Sequence, residues 1–213
     1  MRKRSLLGLL FVSGMGVLNN SGSVQAIKAV ANSQDETTKP SLLKIGTERP
    51  ELSLQLLSGA PVPTWQALEG RVVVMDFWAT WCTPCIESIP RLNALHTKFA
   101  NEKVTFLSVT YEPPQYVREF LKEHPMAAEV AIDDSFNTFK TFQAWGIPVI
   151  YIFDSKGKLI ATAHPNNLTA EVIDAALRGE APNVKQAVPW NNPAGAETYF
   201  RKLQRELKEK YKQ

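Results

Sequence analysis

Two cysteines, Cys82 and Cys85, stand in the segment Trp81-Cys82-Thr83-Pro84-Cys85, and the chain has no others. A disulfide framework needs several widely spaced pairs, so these cysteines are not one. A permanent bond between them would close a tiny loop and restrict the unfolded chain little. A zinc site fits poorly as well. Tetrahedral zinc takes about four N or S ligands, whereas His96, His124 and His164 are scattered and no second cysteine pair exists. No metal is expected. The chemistry that suits the pair is thiol–disulfide exchange. The cysteines stand where a buried strand gives way to a helix, which puts Cys82 at the helix N-terminus. Unpaired N–H groups and the helix dipole stabilise a thiolate there, below the ~8.5 of a free thiol. Cys85 is one turn further in, more buried, and keeps its proton. Cys82 would attack a substrate disulfide, and Cys85 would then attack Cys82 and release the reduced substrate. The Cys82–Cys85 disulfide is itself the redox centre, so no organic cofactor is expected.

The elements that must hold this pair follow from periodicity. Arg71 to Trp78 is a β-branched run without polar alternation, read as a central strand buried on both faces. Leu52, Leu54 and Leu56 alternate with other residues, suggesting a short edge strand before a Pro-containing loop. Pro84 to Ala100 reads as a helix with Pro84 in its first turn and Ile89, Leu92, Leu95 and Phe99 as its buried stripe. Pro90 falls inside it and predicts a kink. Val104–Val109 is a strand, Pro114 opens a helix carrying Tyr116, Val117, Phe120 and Leu121, and Glu129–Ile132 is a short strand. Phe136–Trp145 reads as a helix, Val149–Phe153 and Lys158–Ala163 as a hairpin around Asp154-Ser155-Lys156-Gly157, and Leu168–Leu177 as a closing helix ended by Gly179. Strands alternate with helices and a hairpin closes the series, which is an α/β sandwich with a mixed sheet.

The ends differ from the middle. Residues 1–26 begin with Arg2-Lys3-Arg4, continue as an apolar stretch from Ser5 to Leu18, and finish at Val24-Gln25-Ala26. That is the pattern of a secretory signal cleaved after Ala26. An uncleaved membrane anchor and an organelle transit peptide are the alternatives. Residues 27–43 are polar and read as a flexible leader. Residues 181–194, with Pro182, Pro189 and Pro193, read as a linker. Residues 195–213 form a basic amphipathic helix with Tyr199, Phe200, Leu203, Leu207 and Tyr211 at helical spacing. Such a helix either packs on the domain or docks a partner or an acidic membrane surface. Without the signal the chain carries 21 basic and 21 acidic residues. A nucleic-acid binder needs a basic excess to neutralise phosphates, so that class is excluded.

The run Val74-Met75-Asp76-Phe77-Trp78-Ala79-Thr80-Trp81-Cys82-Thr83-Pro84-Cys85 resembles the active-site segment of thioredoxin-fold proteins, and Trp145-Gly146-Ile147-Pro148 resembles the segment that carries their cis-proline. With the extra helix and strand between Pro114 and Ile132, the chain over residues 44–180 is similar to the TlpA/ResA branch of periplasmic thiol–disulfide oxidoreductases. The resemblance implies a thioredoxin-like three-layer sandwich with a mixed central sheet, a helix–strand insertion and an N-terminal edge strand or hairpin. It implies Cys82 as nucleophile and Cys85 as resolving thiol. It places Asp76 as a buried acid beneath the disulfide, with a raised pKa, able to take the proton of Cys85. Many TlpA-like sequences have Asn there. The branch often has a glutamate three residues after the second cysteine, where this chain has Ser88, and Glu87 one residue earlier is expected at the surface. Pro148 is expected to be cis and to face the cysteines. Ile147 before it is free to pair with an extended substrate segment. Trp81 is expected to flank the cysteines at the surface, Trp78 to lie in the core, and Trp145 is undecided between the two.

The function expected is an exported, periplasmic protein-disulfide reductase. Thr83 and Pro84 between the cysteines, with no histidine, favour a reductase over a strong oxidant. In an oxidising compartment it needs a membrane electron donor. Its partners would be protein disulfides, with cytochrome apoproteins and copper-site proteins implied by the resemblance. The rivals are a thiol oxidase or isomerase of the same fold, a thiol peroxidase, and a non-enzymatic Cu(I)-binding module. A peroxidatic cysteine usually has a threonine three residues ahead, where this chain has Ala79.

Overall fold

The fold is organised around the apolar run that precedes the cysteines. In the computed structural model, which describes residues 42–211, β2 (Val72–Phe77) is buried at all six positions. It pairs parallel to β3 (Val104–Thr110) on one side and antiparallel to β5 (Val149–Phe153) on the other. β4 (Glu129–Ile132) adds parallel to β3, and the two-residue β1 (Gln55–Leu56) adds antiparallel to β4. β6 (Leu159–Ala163) closes the far edge, so the mixed sheet has the order β1-β4-β3-β2-β5-β6. Central strands buried on both faces have no polar alternation to show, which is why β2 reads as a continuous apolar run.

Alternation along β2 sorts its side chains into two layers. Val72 and Val74 join Leu92, Leu95 and Phe99 of the cysteine helix α1 (Thr83–Lys98, with Phe99 as its C-cap) and Val172 and Ile173 of α4 (Ala170–Leu177). Val73, Met75 and Phe77 face the opposite cluster. That cluster takes in Val117 of α2 (Pro114–Glu123), Phe139 and Phe142 of α3 (Asn137–Phe142), and Phe200 of α5 (Pro193–Lys210). Two helical layers therefore enclose the sheet, giving the three-layer thioredoxin-like sandwich. The strand and helix between Pro114 and Ile132 form the insertion, and β1 is its edge partner.

Several elements differ in detail from the sequence reading. α1 starts one residue before Pro84 and ends at Lys98, with the exposed Pro90 inside it. α3 is six residues rather than the ten of Phe136–Trp145. Phe136 before it and Gln143 after it adopt left-handed backbone (φ +62° and +56°), which ends the helix at both sides. The Asp133 carboxylate accepts from the N–H of Phe139 and the Ser135 hydroxyl and holds the entry turn in place. α4 begins two residues later than its sequence pattern, and Gly179 at φ +73° ends it by donating to the Ala176 carbonyl.

The C-terminal segment is tied to the domain. Residues 181–192 run without helix or strand along edge strand β6. The Ala187 N–H donates to the Thr162 carbonyl, and the Gln186 side chain accepts from both the N–H and hydroxyl of Thr162. α5 then lays Ala196, Phe200 and Gln204, one turn apart, into the sheet-side core. Gln204 donates to the carbonyls of Tyr111 and Asp134, and Lys208 pairs with Asp134. The expected signal (1–26) and residues 27–41 of the expected leader lie outside the described residues. Among the described residues no helix is long and apolar enough to cross a membrane.

Candidate active site

The turn from β2 into α1 builds the site. Cys82 is the N-cap of α1, and the Cys85 and Ile86 N–H groups both donate to its carbonyl. No side chain caps this helix end and its first turn contains no acid, so nothing neutralises the positive end of the dipole at Cys82. Cys82 and Cys85 form a disulfide with their Cα atoms 5.2 Å apart. The sequence reading placed Cys82 at the open helix N-terminus, less buried than Cys85. Instead Cys82 is 4% and Cys85 2% exposed, both within the apolar cluster that Trp145 belongs to and Ile147 packs against. The polypeptide that closes over the pair comes from distant segments, which is why local pattern suggested a more open site. Thr83 and Pro84 between the cysteines remain exposed.

Three strand-end features frame the disulfide. The Ile147–Pro148 peptide is cis. Pro84, Ile147 and Pro148 line one groove, so the loop between the cysteines and the proline segment face each other. Ile147 makes no backbone hydrogen bond with the described residues. Trp81 is 39% exposed, and its indole N–H donates to the Tyr111 hydroxyl at 2.8 Å. Trp78 is fully in the core, as its position after β2 suggested.

Asp76 occupies the last turn of pleat in β2, on the parity of Val72 and Val74, so its carboxyl points to the layer that holds α1. It is 5% exposed and its Oδ1 has no hydrogen-bond partner. Burial alone pushes its pKa from the carboxylate range to about 7. Glu87 is exposed, while Ser88 is buried and its hydroxyl donates to the Cys85 carbonyl at 2.6 Å.

Glu112 was not found by sequence reasoning. It sits just beyond β3 in Tyr111-Glu112-Pro113-Pro114, where an acid beside two prolines looks like ordinary loop polarity. The fold buries it completely. Its carboxylate accepts from the Thr80 N–H and the Thr80 hydroxyl, both at 2.7 Å, and from the Thr110 hydroxyl. Burial pushes its pKa up against the opposing pull of these hydrogen bonds. It thus clamps Thr80, two residues before Cys82. Among the described residues no cluster of His, Cys, Asp or Glu is arranged to hold a metal ion.

A buried Cys82–Cys85 disulfide at a helix start, with a cis-proline on the facing segment, is an arrangement suited to disulfide exchange. The AhpC/TSA family profile matches residues 45–162. Thiol-disulfide oxidoreductase ResA of Bacillus thuringiensis is 29% identical over 124 residues, covering 58% of this chain and 71% of that protein. Thioredoxin-like protein YneN of Bacillus subtilis is 28% identical over 136 residues, covering 62% and 78%. A crystal structure assigned as thiol:disulfide interchange protein DsbE from Chlorobium tepidum superposes with a TM-score of 0.53 at 27% identity, over 57% of this chain and 86% of that one.

Proposed function

The chain belongs to the AhpC/TSA family, and from its kinship with thiol-disulfide oxidoreductases we propose that it is a protein-disulfide oxidoreductase working as an exported reductase. The single observation that carries the reading is the Cys82–Cys85 pair at the unneutralised N-terminus of α1, opposite cis-Pro148. In the reduced protein the Cys82 thiolate attacks one sulfur of a substrate disulfide. A Cys82–substrate disulfide forms and the other substrate sulfur leaves as a thiolate. Cys85 then loses its proton and attacks the Cys82 sulfur. This restores the Cys82–Cys85 disulfide and expels the second substrate thiolate, so two electrons pass from protein to substrate. Asp76, with a pKa near 7, is suited to accept the Cys85 proton at neutral pH. The free backbone of Ile147 would pair with the extended substrate segment, while Pro148 and Trp81 bound the approach to the sulfurs.

Direction and compartment rest on the sequence. Thr83 and Pro84 provide no cation to stabilise the Cys82 thiolate further, which suits a reductant. The N-terminal signal sends the chain to an oxidising compartment, where a membrane electron donor must re-reduce the pair. Cytochrome apoproteins and copper-site proteins are substrates of the right chemistry, each holding cysteines that must be reduced before they take their cofactor. Trapping decides the mechanism. Cys85→Ser should accumulate mixed disulfides through Cys82, and Cys82→Ala should accumulate none. Equal trapping by both variants would overturn the assignment. A reduction potential above that of the surrounding thiol pool would make the protein an oxidase instead, and rapid peroxide consumption by the reduced form would favour the peroxidase rival.

A further inference from the structure

A groove of about 540 Å³ is lined by Trp81, the residue before Cys82, and Ile147, the residue before cis-Pro148. That volume is within the range of sites that enclose organic ligands. Its inner wall is Trp81, Trp145 and Ile147 from the domain, and its outer wall is Trp190, Tyr199 and Phe200 from the C-terminal segment. The outer wall lies beyond residue 162, where the family match ends. Trp190 is seated at the middle of the arrangement. A Cβ placed on Gly146 would stand 3.2 Å from the Trp190 Cβ, so the glycine next to the cis-proline segment is what lets this tryptophan come so close. Trp190 also lines the neighbouring groove that holds Pro84 and Pro148. It therefore borders both grooves, as Ile147 does.

Three large aromatic side chains at this one place remain open to solvent: Trp81 at 39%, Trp190 at 51% and Tyr199 at 53%. Soluble chains seldom leave aromatics clustered in water without a use. The groove lining contains no acid and no base, so neither a charged peptide nor an anionic surface finds a counter-charge in it. Its wall includes the residues that precede Cys82 and cis-Pro148, with Asn191 and Asn192 as its polar members. The occupant suited to it is an uncharged, largely apolar group carried by a molecule whose disulfide meets Cys82.

We propose that Trp190 and Tyr199 are specificity-determining residues that receive a bulky apolar side chain next to the reacting cysteine of a protein substrate. The inference rests on the disulfide-exchange reading above and adds a substrate class to it: disulfides flanked by aromatic or large aliphatic residues. Burying one aromatic side chain between such walls removes enough apolar surface to change a rate about tenfold.

The test uses the full chain, reduced with dithiothreitol and freed of it, against two peptides with an internal disulfide. One has tryptophan beside its first cysteine and the other has serine at that position. The tryptophan peptide should be reduced about tenfold faster. Trp190→Ala and Tyr199→Ala, each half-exposed and so replaceable without opening the core, should bring the ratio of the two rates below about twofold. Trp190→Phe should restore most of it. A ratio near one in the unaltered protein, or a ratio that survives both substitutions, would overturn the proposal while leaving disulfide exchange intact. Failure to reduce either peptide would overturn the exchange reading and the proposal with it. Two other occupants are tested on the same protein. Self-association that disappears with Trp190→Ala in sedimentation, or flotation with phosphatidylcholine–phosphatidylglycerol vesicles that does so, would assign this face to a second copy or to lipid and overturn a substrate role.

Discussion

At the scale of single residues, two buried acids, Asp76 in β2 and Glu112 just beyond β3, differ in how their oxygens are satisfied. Asp76 has an orphaned oxygen and a pKa near 7. Because the folded value lies above the ordinary ~3.9, the folded chain holds a proton between about pH 4 and 7 that the unfolded chain has released. Stability is therefore full below that window and falls as pH rises through it, by up to about 1.4 kcal/mol per pH unit. Asp76→Asn should flatten this part of the curve and leave the variant more stable than the parent above pH 7, by up to a few kcal/mol. Urea unfolding of both proteins from pH 4.5 to 8 reads the difference. The same substitution should lengthen the lifetime of the Cys82 mixed disulfide, since Cys85 loses its proton acceptor. An unchanged lifetime would confine Asp76 to structure. Glu112 behaves otherwise, because its oxygens are fully engaged by Thr80 and Thr110. Glu112→Gln turns one acceptor into a donor facing another donor. It should cost about 1–3 kcal/mol in thermal or urea unfolding. It should also shift the reactivity of Cys82 through the loosened Thr80-Trp81 turn, measured as its alkylation rate in the reduced protein.

At the scale of elements, α5 is the least expected feature. Its sequence is a basic amphipathic helix of the kind that either packs or docks, and a linker of prolines and amides precedes it. Its Phe200 stacks on Tyr111 at 5.0 Å with the rings 14° apart, and lies 5.6 Å from Trp81 and 6.1 Å from Trp145. One helix face is therefore continuous with the aromatic layer under the active site. Phe200→Ala should cost about 3–5 kcal/mol, the usual penalty for emptying a buried phenylalanine site. Its measurement is urea unfolding of the oxidised protein. Truncation after Gly179 would expose Tyr111, Trp145 and the Thr162 edge of β6 together. The truncated protein should lose its cooperative unfolding transition or aggregate. A truncated form that unfolds cooperatively at the parent's midpoint would show α5 to be an appendage.

At the scale of the whole molecule, charge and compartment act together. The chain after residue 26 balances its charges, yet residues 183–213 hold seven basic residues against three acids. The basic face of α5 is thus local and turned to solvent, while its apolar face is spent on the core. Export should leave a mature protein beginning at Ile27, and N-terminal sequencing of the exported form checks this. An exported chain that begins at Met1 would make residues 1–26 an anchor. The direction of electron flow is likewise a property of the molecule in its compartment. Equilibration with glutathione buffers should give a potential low enough for the pair to reduce substrates rather than oxidise them.

What the sequence determined by itself was whatever is local. The Cys82–Cys85 spacing, the apolar run of β2, the helix start at Pro84 and the Asp154–Gly157 turn each follow from neighbours within a few residues, and each is found where the pattern put it. The acid at Asp76 was legible for the same reason, since an ionisable side chain inside a β-branched run has nowhere to go but inward. Other features were decided by tertiary structure, because they join residues far apart in the chain. Glu112 looks like loop polarity until β3 lies beside β2 and brings it against Thr80. Tyr111 has no evident role until Trp81 donates to its hydroxyl and Phe200 covers its ring. α3 looked longer because Phe136 to Trp145 is rich in apolar residues, and only the Asp133 contacts and two left-handed residues cut it short. Cys82 looked exposed because a helix N-terminus alone is open to water, whereas Cys85, one turn further in, was expected to be the more buried of the two. The apolar cluster in which both are buried draws on Trp145, Ile147, Ala196 and Phe200, all far along the chain. Periodicity reports which face of an element is apolar, but the identity of what covers that face is fixed only when distant segments meet.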